Sequence, residues 1–315
     1  MDEDERDGVA LTNLDQPLFD DAGATKRDLV DYLEGVSDRM VPVLHDRPLS
    51  VIRARPKQKP FMQKNVPTHA PAWLRTVSMW AETSKRTVAY ALCNDRRSLL
   101  WFANQRAVEY HPTLARVDRM DRNTHLVLDL DPPEGAPFSA VVIVAHMARR
   151  ALSDVGLRGA LKTSGAKGLH IFVPIDEEAS PADAAGALRA LAARVERLDP
   201  QVATTAFLKE DRHDRVFVDA TRVGGATVVA AYSPRVRPGV PVSFPLSWDD
   251  LDDAHPRDFT LRTVLQRLGG TDPWAALMPA PQPVPAALID EGRSIPVPRV
   301  VAMHEGKRRA RARKS

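Results

Sequence analysis

Two aspartates at the end of an apolar segment are the residues whose spacing points most directly to chemistry. Asp129 and Asp131 occupy alternate positions of THLVLDLD, a segment that predicts a β-strand ended by Pro132 and Pro133. Side chains at positions i and i+2 of a strand point to the same face, so the two carboxylates should lie side by side. Adjacent negative charges repel unless a cation lies between them, and carboxylate oxygens suit Mg²⁺ or Mn²⁺. The pair therefore predicts a divalent metal site, although aspartates at strand ends also cap turns.

A third carboxylate closes a second apolar segment. Asp219 ends RVFVD, which also predicts a strand. If this strand lies beside the one that ends at Asp131, three aspartates converge on a site for two metal ions and phosphoryl transfer. Taken alone, Asp219 would be an ordinary turn residue, so its interpretation depends on the other two.

The glycine-containing segment KTSGAKGLH lies between these two strands in the sequence. Its two glycines allow a tight turn whose backbone N–H groups can face an anion. Ser164, Lys167 and His170 add a hydroxyl, a cation and an imidazole, all suited to triphosphate oxygens. The segment is not a P-loop, because GKS or GKT is absent and a strand follows. The alternative is an ordinary hairpin in which the Lys and His are incidental.

The predicted strands and helices that must position these residues do not follow a regular strand–helix alternation along the chain. This pattern favours an α/β or α+β fold with a mixed sheet. Hydrophobic periodicity predicts helices over residues 25–44 (with Thr25 as N-cap), 98–111, 138–155, 180–198 and 257–268. Strands are predicted around 49–62 and over 124–131, 161–175 (interrupted by the glycine turn), 215–219 and 226–233.

Composition limits the class of protein. The chain has 315 residues, of which 43% are hydrophobic, and this is enough apolar material to exclude a disordered or fibrous chain. No segment approaches the roughly 18 apolar residues that a membrane span needs. A single cysteine, Cys93, excludes an internal disulfide and a cysteine-based zinc site. A cytoplasmic protein without a membrane partner is expected, since the start MDEDERD is unlike a signal peptide.

Charge is concentrated at the two ends of the chain. MDEDERD is acidic, whereas GKRRARARKS carries six bases that either form a solvated tail or attract phosphate nonspecifically. We expect an acidic extension over 1–10 and a folded domain over 11–278, with modules of 11–120 and 121–278. A Pro/Ala-rich linker and a basic tail are expected over 279–315.

The three motifs together resemble a known family. In this order and spacing, DLDPP, KTSGAKGLH and RVFVD resemble the motifs of the archaeo-eukaryotic primase superfamily, and more closely those of the polymerase domain of bacterial ATP-dependent DNA ligase D. Further similar segments, over roughly residues 10 to 275, are TKRDLVDYLEGV, FMQKNVPTHAPAWL, LLWFANQRAVEYHP and AAYSPRVRPGVPVS. The resemblance implies the archaeo-eukaryotic primase fold, in which an RRM-like catalytic module packs with an N-terminal α/β segment.

The resemblance also implies a role for each matching residue. Two divalent cations, preferably Mn²⁺ and otherwise Mg²⁺, would be bound by Asp129, Asp131 and Asp219, which are also the catalytic residues. Nucleotide binding is implied for His111, Ser164, Lys167, Gly168, His170 and Arg235. DNA binding is implied for Lys26 at a 5′-phosphate, for Phe61 on a template base, and for Arg53, Lys64 and Arg212 along the DNA.

At two positions the chain departs from the family pattern. Relatives often have two adjacent aromatic residues where this chain has Phe61 and Met62, which predicts a smaller stacking surface. A second phosphate-binding lysine of relatives corresponds to Gln16. We therefore expect only modest discrimination in favour of a 5′-phosphate, with Lys26 as its basis, and we expect a lysine at position 16 to enlarge it.

The implied function is template-directed filling of short gaps, or extension of broken DNA ends, with ribonucleotides favoured. The implied partners are NTPs or dNTPs, gapped or broken DNA with a 5′-phosphate, a separate ATP-dependent DNA ligase and an end-binding protein, in nucleoid-associated cytoplasm. Two alternatives come from other classes. A noncatalytic DNA-end-binding repair subunit would not need three aspartates, and a metal-dependent glycosyltransferase with an Asp-x-Asp pair would not explain KTSGAKGLH.

Overall fold

The computed structural model describes residues 4–81 and 85–297. Residues 4–81, 85–120, 162–166 and 225–277 form one compact unit, here unit 1, and residues 121–161, 167–224 and 278–297 form a second, unit 2. The chain first passes from unit 1 to unit 2 after residue 120. Residues 225–277, which we expected within the second module, instead group with unit 1.

The described residues form eight α-helices and thirteen β-strands. In chain order the helices are α1 (Lys26–Gly35), α2 (Ser37–Leu44), α3 (Arg96–Asn104), α4 (Phe138–Ser153), α5 (Pro181–Leu198), α6 (Val264–Leu268), α7 (Pro273–Leu277) and α8 (Ala286–Ser294). The strands are β1 (Asp4–Arg6), β2 (Val9–Leu11), β3 (Leu49–Arg55), β4 (Gln58–Gln63), β5 (Thr76–Ala81), β6 (Arg86–Ala91), β7 (Ala107–Pro112), β8 (His125–Asp131), β9 (Ala160–Thr163), β10 (Leu169–Pro174), β11 (Ala203–Thr204), β12 (Val216–Asp219) and β13 (Pro245–Leu246).

Unit 1 is built on an antiparallel sheet. Strands β4, β3, β6 and β5 lie in this order, and β7 also pairs with β3. Helix α1 begins with the predicted N-cap: the Thr25 side chain accepts from Asp28 N at 3.2 Å, and Asp28 Oδ2 accepts from Thr25 N at 2.7 Å. The predicted helix over 25–44 is two helices, because the backbone at Val36 (φ −101°, ψ 3°) leaves the α-helical region.

Unit 2 carries the predicted central strand. Strands β11, β12, β8 and β10 lie in this order, and β8 is antiparallel to both of its neighbours. Leu126, Leu128 and Leu130 of β8 are fully buried on one face, and α4 and α5 both pack against this strand. The alternation leaves Asp129 and Asp131 on the opposite face, as the sequence pattern predicts.

Further predicted elements differ from the structure. The helix expected over 257–268 is reduced to α6 (Val264–Leu268), because Pro256–Asp258 form a 3₁₀ turn and the backbone leaves the helical region at Phe259 (φ −106°, ψ 90°). The helix expected over 98–111 ends at Asn104, and residues 107–112 form β7, where almost complete burial beside β3 outweighs local helix propensity. The strand expected over 226–233 is irregular. Val228 N and Ala230 N donate to β7 carbonyls, but Tyr232 has φ +67°, so no continuous ladder forms.

The start of the predicted linker over 279–315 contains a packed helix. Helix α8 lies on α5, and a Cβ built on Gly292 would lie 1.8 Å from Gly186 O, so the two backbones approach as closely as glycines allow. Glu291 accepts from Arg194 at 2.6 Å across this contact. Composition alone predicted a linker here because the tertiary contact that stabilises the helix lies about a hundred positions earlier in the chain. The basic tail lies outside the described residues.

The described part of the acidic extension, residues 4–10, is also ordered. Strands β1 and β2 pair antiparallel, and Arg6 Nη1 lies 2.7 Å from both Asp31 and Glu34 of α1. Two ion pairs of Arg6 thus attach the acidic segment to α1 in unit 1. In the ranges 4–81 and 85–297, no helix has both the length and the apolar character that crossing a membrane requires.

Candidate functional site

The three predicted metal-binding aspartates share one face of the unit 2 sheet, here called the carboxylate face and defined by Asp129, Asp131 and Asp219. Asp129 and Asp131 lie on β8, and Asp219 ends β12 directly opposite Asp129 in the antiparallel register. Side chains that are opposite one another across such strands have Cβ atoms roughly 4.5–5.5 Å apart. On the other side of β8, the register places His170 of β10 opposite Asp129. The two strands that carry the aspartates are therefore adjacent, a point that the sequence alone left open.

An arginine lies between two of these carboxylates. Arg222 Nη2 is 3.1 Å from Asp129 Oδ2 and 3.4 Å from Asp219 Oδ2. The second oxygen of Asp219 accepts from Thr221 N at 2.8 Å. Within the described ranges, no three His, Cys, Asp or Glu side chains are already arranged to hold a metal ion. A divalent ion that bound both carboxylates would take the position of the Arg222 guanidinium.

The electrostatic environment gives the two β8 carboxyls different properties. Burial alone would raise the pKa of Asp129, but the His170 ring, whose Nε2 lies 3.3 Å away, and Arg222 together hold this pKa below its ordinary value. Burial and the neighbouring Asp129 charge raise the pKa of Asp131, and Lys167 and Arg212 oppose this effect only in part. His170 and Arg222 therefore favour the ionised form of Asp129, whereas burial and the Asp129 charge favour the protonated form of Asp131.

This donor set fits divalent cations. Carboxylate oxygens on one face of a sheet, already bridged by a side-chain cation, are the hard ligands that Mg²⁺ and Mn²⁺ select. Burial, followed by the Asp129 charge, raises the pKa of Asp131 although the charges of Lys167, Arg212 and Lys209 lower it, and a bound cation would favour its ionised form. Asp129, Asp131 and Asp219 are the residues that would hold the ions.

A glycine brings the turn before β10 close to the end of β8. A Cβ on Gly168 would lie 2.2 Å from Leu130 O, so only glycine fits this position. Lys167 directly precedes it, and the lysine charge acts on Asp131. In unit 2 the structure therefore brings together Lys167, Gly168 and His170 with the three aspartates.

Unit 1 holds the other predicted nucleotide-binding residues. Arg235 Nη1 donates to the carbonyl oxygen of Ser164. Gly165 has φ +67°, and its Cβ would lie 2.6 Å from Arg235 Cγ, so both the backbone conformation and the close approach require glycine. The close approach at Gly165 thus allows the distant Arg235 to pack against the KTSGAKGLH turn.

Glu109 connects two of these residues within unit 1. Its Oε2 lies 2.9 Å from His111 Nε2 and 3.0 Å from Arg235 Nε, and its Oε1 accepts from Val236 N at 2.9 Å. Burial would raise the pKa of Glu109, but His111, Arg235 and the Val236 N–H lower it to about 2. The ionised Glu109 therefore orients both the histidine and the arginine.

The predicted 5′-phosphate residue, Lys26, is buried in unit 1 at the first position of α1. Its Nζ donates to Thr12 O and to Asn104 Oδ1, each at 2.5 Å. Gln16, where relatives have a lysine, accepts from Arg106 Nη2 at 2.7 Å. An arginine that the sequence analysis did not single out therefore lies beside the predicted phosphate site.

The remaining predicted DNA-binding residues have different environments. Phe61 and Lys64 are exposed, and the Phe61 side chain lies on strand β4, where most residues face solvent. Arg53 is buried, donates to Gln105 O at 2.7 Å, and lies 5.6 Å from the Phe61 ring centroid. The Arg53 guanidinium thus lies beside the exposed Phe61 ring and is itself buried.

Arg212, in unit 2, is also held by its neighbours. Its guanidinium stacks 3.6 Å from the centroid of Phe217 and donates to the Ala206 and Phe207 carbonyls at 3.0 and 2.9 Å. One nitrogen lies 4.0 Å from Asp131 Oδ2. The structure thus associates Arg212 with the carboxylate face.

Three residues near these sites were missed by sequence reasoning. Glu109 shares a strand face with His111, and the i, i+2 spacing in EYH is a signal that could have identified it. Arg222 follows Asp219 by three positions in a loop, and Arg106 contacts Gln16 across ninety positions. Neither arginine has a local sequence pattern that points to its partner.

Comparison with known proteins is consistent with this geometry. A family model described as the primase-polymerase domain of LigD matches residues 25–274. The multifunctional non-homologous end joining protein LigD of Mycolicibacterium smegmatis is 34% identical over 267 residues, which are 82% of this chain and 34% of that protein. The bifunctional LigD protein of Bacillus subtilis is 31% identical over 265 residues, 82% of this chain and 42% of that protein. The chain thus spans less than half the length of these relatives.

A solved structure shares the fold. The polymerase domain of Mycobacterium tuberculosis ligase D, in complex with DNA, aligns with a TM-score of 0.78 and 33% identity, covering 86% of this chain and 99% of that one. The predicted mixed α/β architecture of the archaeo-eukaryotic primase type is confirmed.

Proposed function

Because the chain belongs to the LigD primase-polymerase domain family, we propose that it extends a DNA primer opposite a template strand. Members of this family are nucleotidyltransferases of DNA repair, and such enzymes require a divalent metal. The observation that carries the proposal is the antiparallel register of β12 and β8, which sets Asp219 opposite Asp129. Asp131 lies two positions after Asp129 on β8. This register gives the three carboxylates of a nucleotidyl-transfer site one common face.

The proposed reaction is in-line attack of the primer 3′-hydroxyl on the α-phosphorus of a bound nucleoside triphosphate. A new phosphodiester bond forms, the bond to the β,γ-pyrophosphate breaks, and the hydroxyl proton leaves to solvent. Bound divalent cations, which we propose to be two Mn²⁺ or Mg²⁺ ions, supply charge neutralisation at the attacking and leaving oxygens. Asp129, Asp131 and Asp219 are the catalytic residues that hold this charge in place.

The other residues near the carboxylate face orient the Asp129 carboxylate and neutralise the triphosphate charge. His170 keeps Asp129 ionised from one side and Arg222 from the other, so the carboxylate is fixed in rotation before substrate binds. We assign triphosphate binding to Lys167, Gly168 and His170 in unit 2, because a cation, a backbone N–H at a tight turn and an imidazole all suit phosphate oxygens.

In unit 1 we assign nucleotide binding to Ser164, His111 and Arg235. Glu109 holds the histidine and the arginine at 2.9 and 3.0 Å, which makes it a positioning residue. For DNA we assign Lys26 to a 5′-phosphate and Phe61 to a template base, since an exposed aromatic ring offers a stacking face. Arg53, Lys64 and Arg212 are assigned to the DNA as well, Arg53 through its contact with Phe61.

The proposed substrates are short gaps and broken ends with a 5′-phosphate, filled with ribonucleotides in preference to deoxyribonucleotides. The mycobacterial polymerase domain was solved with DNA, which supports DNA binding by this chain. A separate ATP-dependent ligase and an end-binding protein are the proposed partners in nonhomologous end joining, in the cytoplasm at the nucleoid. We further propose that residues 11–278 contain the whole catalytic domain.

A single assay separates this function from its alternatives. The protein is incubated with Mn²⁺, a primed single-nucleotide gap and each nucleotide in turn. Extension that follows the template base, with release of pyrophosphate, is the expected result. Binding of the gap without extension would indicate a noncatalytic end-binding subunit, and transfer of sugar from a nucleotide sugar would indicate a glycosyltransferase; either result would overturn the proposal.

A further inference from the structure

Three cationic side chains cluster in unit 1 without an acidic partner. They are Lys26, Arg55 and Arg106, and across residues 4–81 and 85–297 none of them forms an ion pair with a carboxylate. Lys26 is 2% exposed and Arg106 is 7% exposed. Burial, followed by the charges of Arg106 and Arg55, lowers the pKa of Lys26 to about 8. Their proximity is thus unfavourable in the free chain.

The hydrogen bonds of the two buried cations go only to neutral acceptors. Lys26 donates to Thr12 O and Asn104 Oδ1, as described above. Arg106 Nη2 donates to Gln16 Oε1 at 2.7 Å, and Nη1 donates to the carbonyls of Pro17 and Leu18, each at 2.9 Å. These bonds fix the geometry of the cations but leave two positive charges unneutralised. Uncompensated charges in a buried position are costly unless an anion joins them.

Two further features indicate that the buried charges of Lys26 and Arg106 are there to bind an anion. Lys26 is the first residue of α1, a helix of ten residues, so the positive end of the helix dipole adds to the same potential. Arg106 has φ +60°, a backbone conformation that disfavours a side chain of this size. A strained, buried arginine with no acidic partner requires a reason beyond packing.

We propose that Arg106 supplies the second positive charge of a phosphate-monoester pocket at the N-terminus of α1, with Gln16 as the residue that positions it. A phosphate monoester carries about −1.5 to −2 charges at neutral pH, so two cations match it better than one. The inference rests on the proposed function, in which the monoester is the 5′-phosphate of the strand downstream of a gap. Inorganic phosphate shares the chemistry and is the alternative source.

The proposal reverses the expectation drawn from position 16. A lysine there was expected to enlarge the preference for phosphate. In the structure a lysine at this position would lose the acceptor that holds Arg106 and would set a third cation against it. Gln16→Lys should therefore leave the preference unchanged or reduce it.

The test compares affinities of the full chain for two gapped DNAs that differ only in the downstream 5′-phosphate, measured by fluorescence anisotropy at fixed salt. The quantity compared is the dissociation constant for the unphosphorylated gap divided by that for the 5′-phosphorylated gap. Arg106→Gln should reduce this ratio about tenfold, the scale of one charged hydrogen bond. Arg106→Lys should retain more of the ratio than Arg106→Gln. The exposed Arg119→Gln is the control for general loss of charge and should leave the ratio unchanged.

Other outcomes decide against the pocket. An unchanged ratio in Arg106→Gln, or an enlarged ratio in Gln16→Lys, would overturn the proposal. A variant that merely folds poorly would lose affinity for both DNAs alike, and urea unfolding of Arg106→Lys separates this case. Stabilisation of the wild-type chain, but not of Arg106→Gln, by millimolar inorganic phosphate would support the pocket with free phosphate as a ligand. Extension by the wild-type chain on an open primer-template, which has no downstream strand, tests the proposed function separately.

Discussion

Arg222 Nη2 lies 3.1 Å from Asp129 Oδ2 and 3.4 Å from Asp219 Oδ2, so one guanidinium bridges two carboxylates on adjacent strands. The same two carboxylates are among those that would hold a divalent ion. Arg222 is therefore a counter-ion to both carboxylates, and we propose that it competes with a divalent cation for the same oxygens.

Replacing this counter-ion should strengthen metal binding. Arg222→Gln removes the competing charge, and we expect the dissociation constant for Mn²⁺, measured by calorimetry without nucleotide, to fall about tenfold, the scale of a charged hydrogen bond. The same change should lower the melting temperature of the metal-free chain, because Asp129 and Asp219 then repel each other. Arg222→Lys is the matched control and should stay close to the wild type in both measurements. Equal Mn²⁺ affinity in all three proteins would contradict the competition.

Glu109 should make stability depend on pH in a defined window. Its pKa is lowered to about 2 in the folded chain, against an ordinary 4.5, so its ionised form stabilises folding at and above pH 5. This contribution is lost as the pH falls from about 4.5 towards 2. Glu109→Gln leaves Arg235 without its buried partner, and we expect a loss of about 3–5 kcal/mol in the free energy of unfolding at pH 7. The difference between the two proteins in urea unfolding should shrink below pH 4; a constant difference would argue against the ion pair.

The assigned triphosphate contacts should appear in the nucleotide KM. His170→Ala and Arg235→Ala each remove a charge-assisted contact worth roughly 1.5–3 kcal/mol, or one to two decades. We expect KM for the nucleotide to rise by this amount, with a smaller effect on affinity for gapped DNA. Arg237→Ala, an exposed neighbour of Arg235, should leave KM unchanged. Loss of DNA affinity with an unchanged KM would place the nucleotide elsewhere.

The sequence pattern was sufficient to predict that Asp129 and Asp131 share one face of β8. The i, i+2 spacing of Asp129 and Asp131 is a local signal, because strand geometry alone puts the two side chains on one face. The opposition of Asp219 depends on strand order, which local patterns do not determine. Arg222 and Glu109 were missed because their partners come from register and tertiary contact.

The differences in secondary structure have the same origin. Residues 107–112 have a helical pattern in isolation but form β7, because β3 buries them as a strand. Residues 286–294 have the composition of a linker but form α8, because Gly186 and Gly292 let this helix settle on α5. Both outcomes depend on partners far away in sequence, where local propensity is a weak guide.

The contact between α5 and α8 gives a further prediction. The Cβ of Gly292→Ala would meet Gly186 O at 1.8 Å, so the helices must move apart, and we expect a loss of about 1–3 kcal/mol in the free energy of unfolding. Gly270→Ala is the control, since a Cβ there has no neighbour within 4 Å. Equal stability of the two variants in urea unfolding would show that α8 contributes little to the fold.

The most direct test of the central claim measures single-turnover incorporation opposite one template base, together with gap affinity, in Asp129→Asn and Asp219→Asn. The exposed Asp214→Asn serves as the matched control. If the three carboxylates hold the charge on which nucleotidyl transfer depends, both variants lose incorporation by about a thousandfold or more, since several kcal/mol of transition-state stabilisation is removed. Both should bind gapped DNA as the control does. Incorporation by Asp129→Asn or Asp219→Asn at the rate of Asp214→Asn would contradict the account.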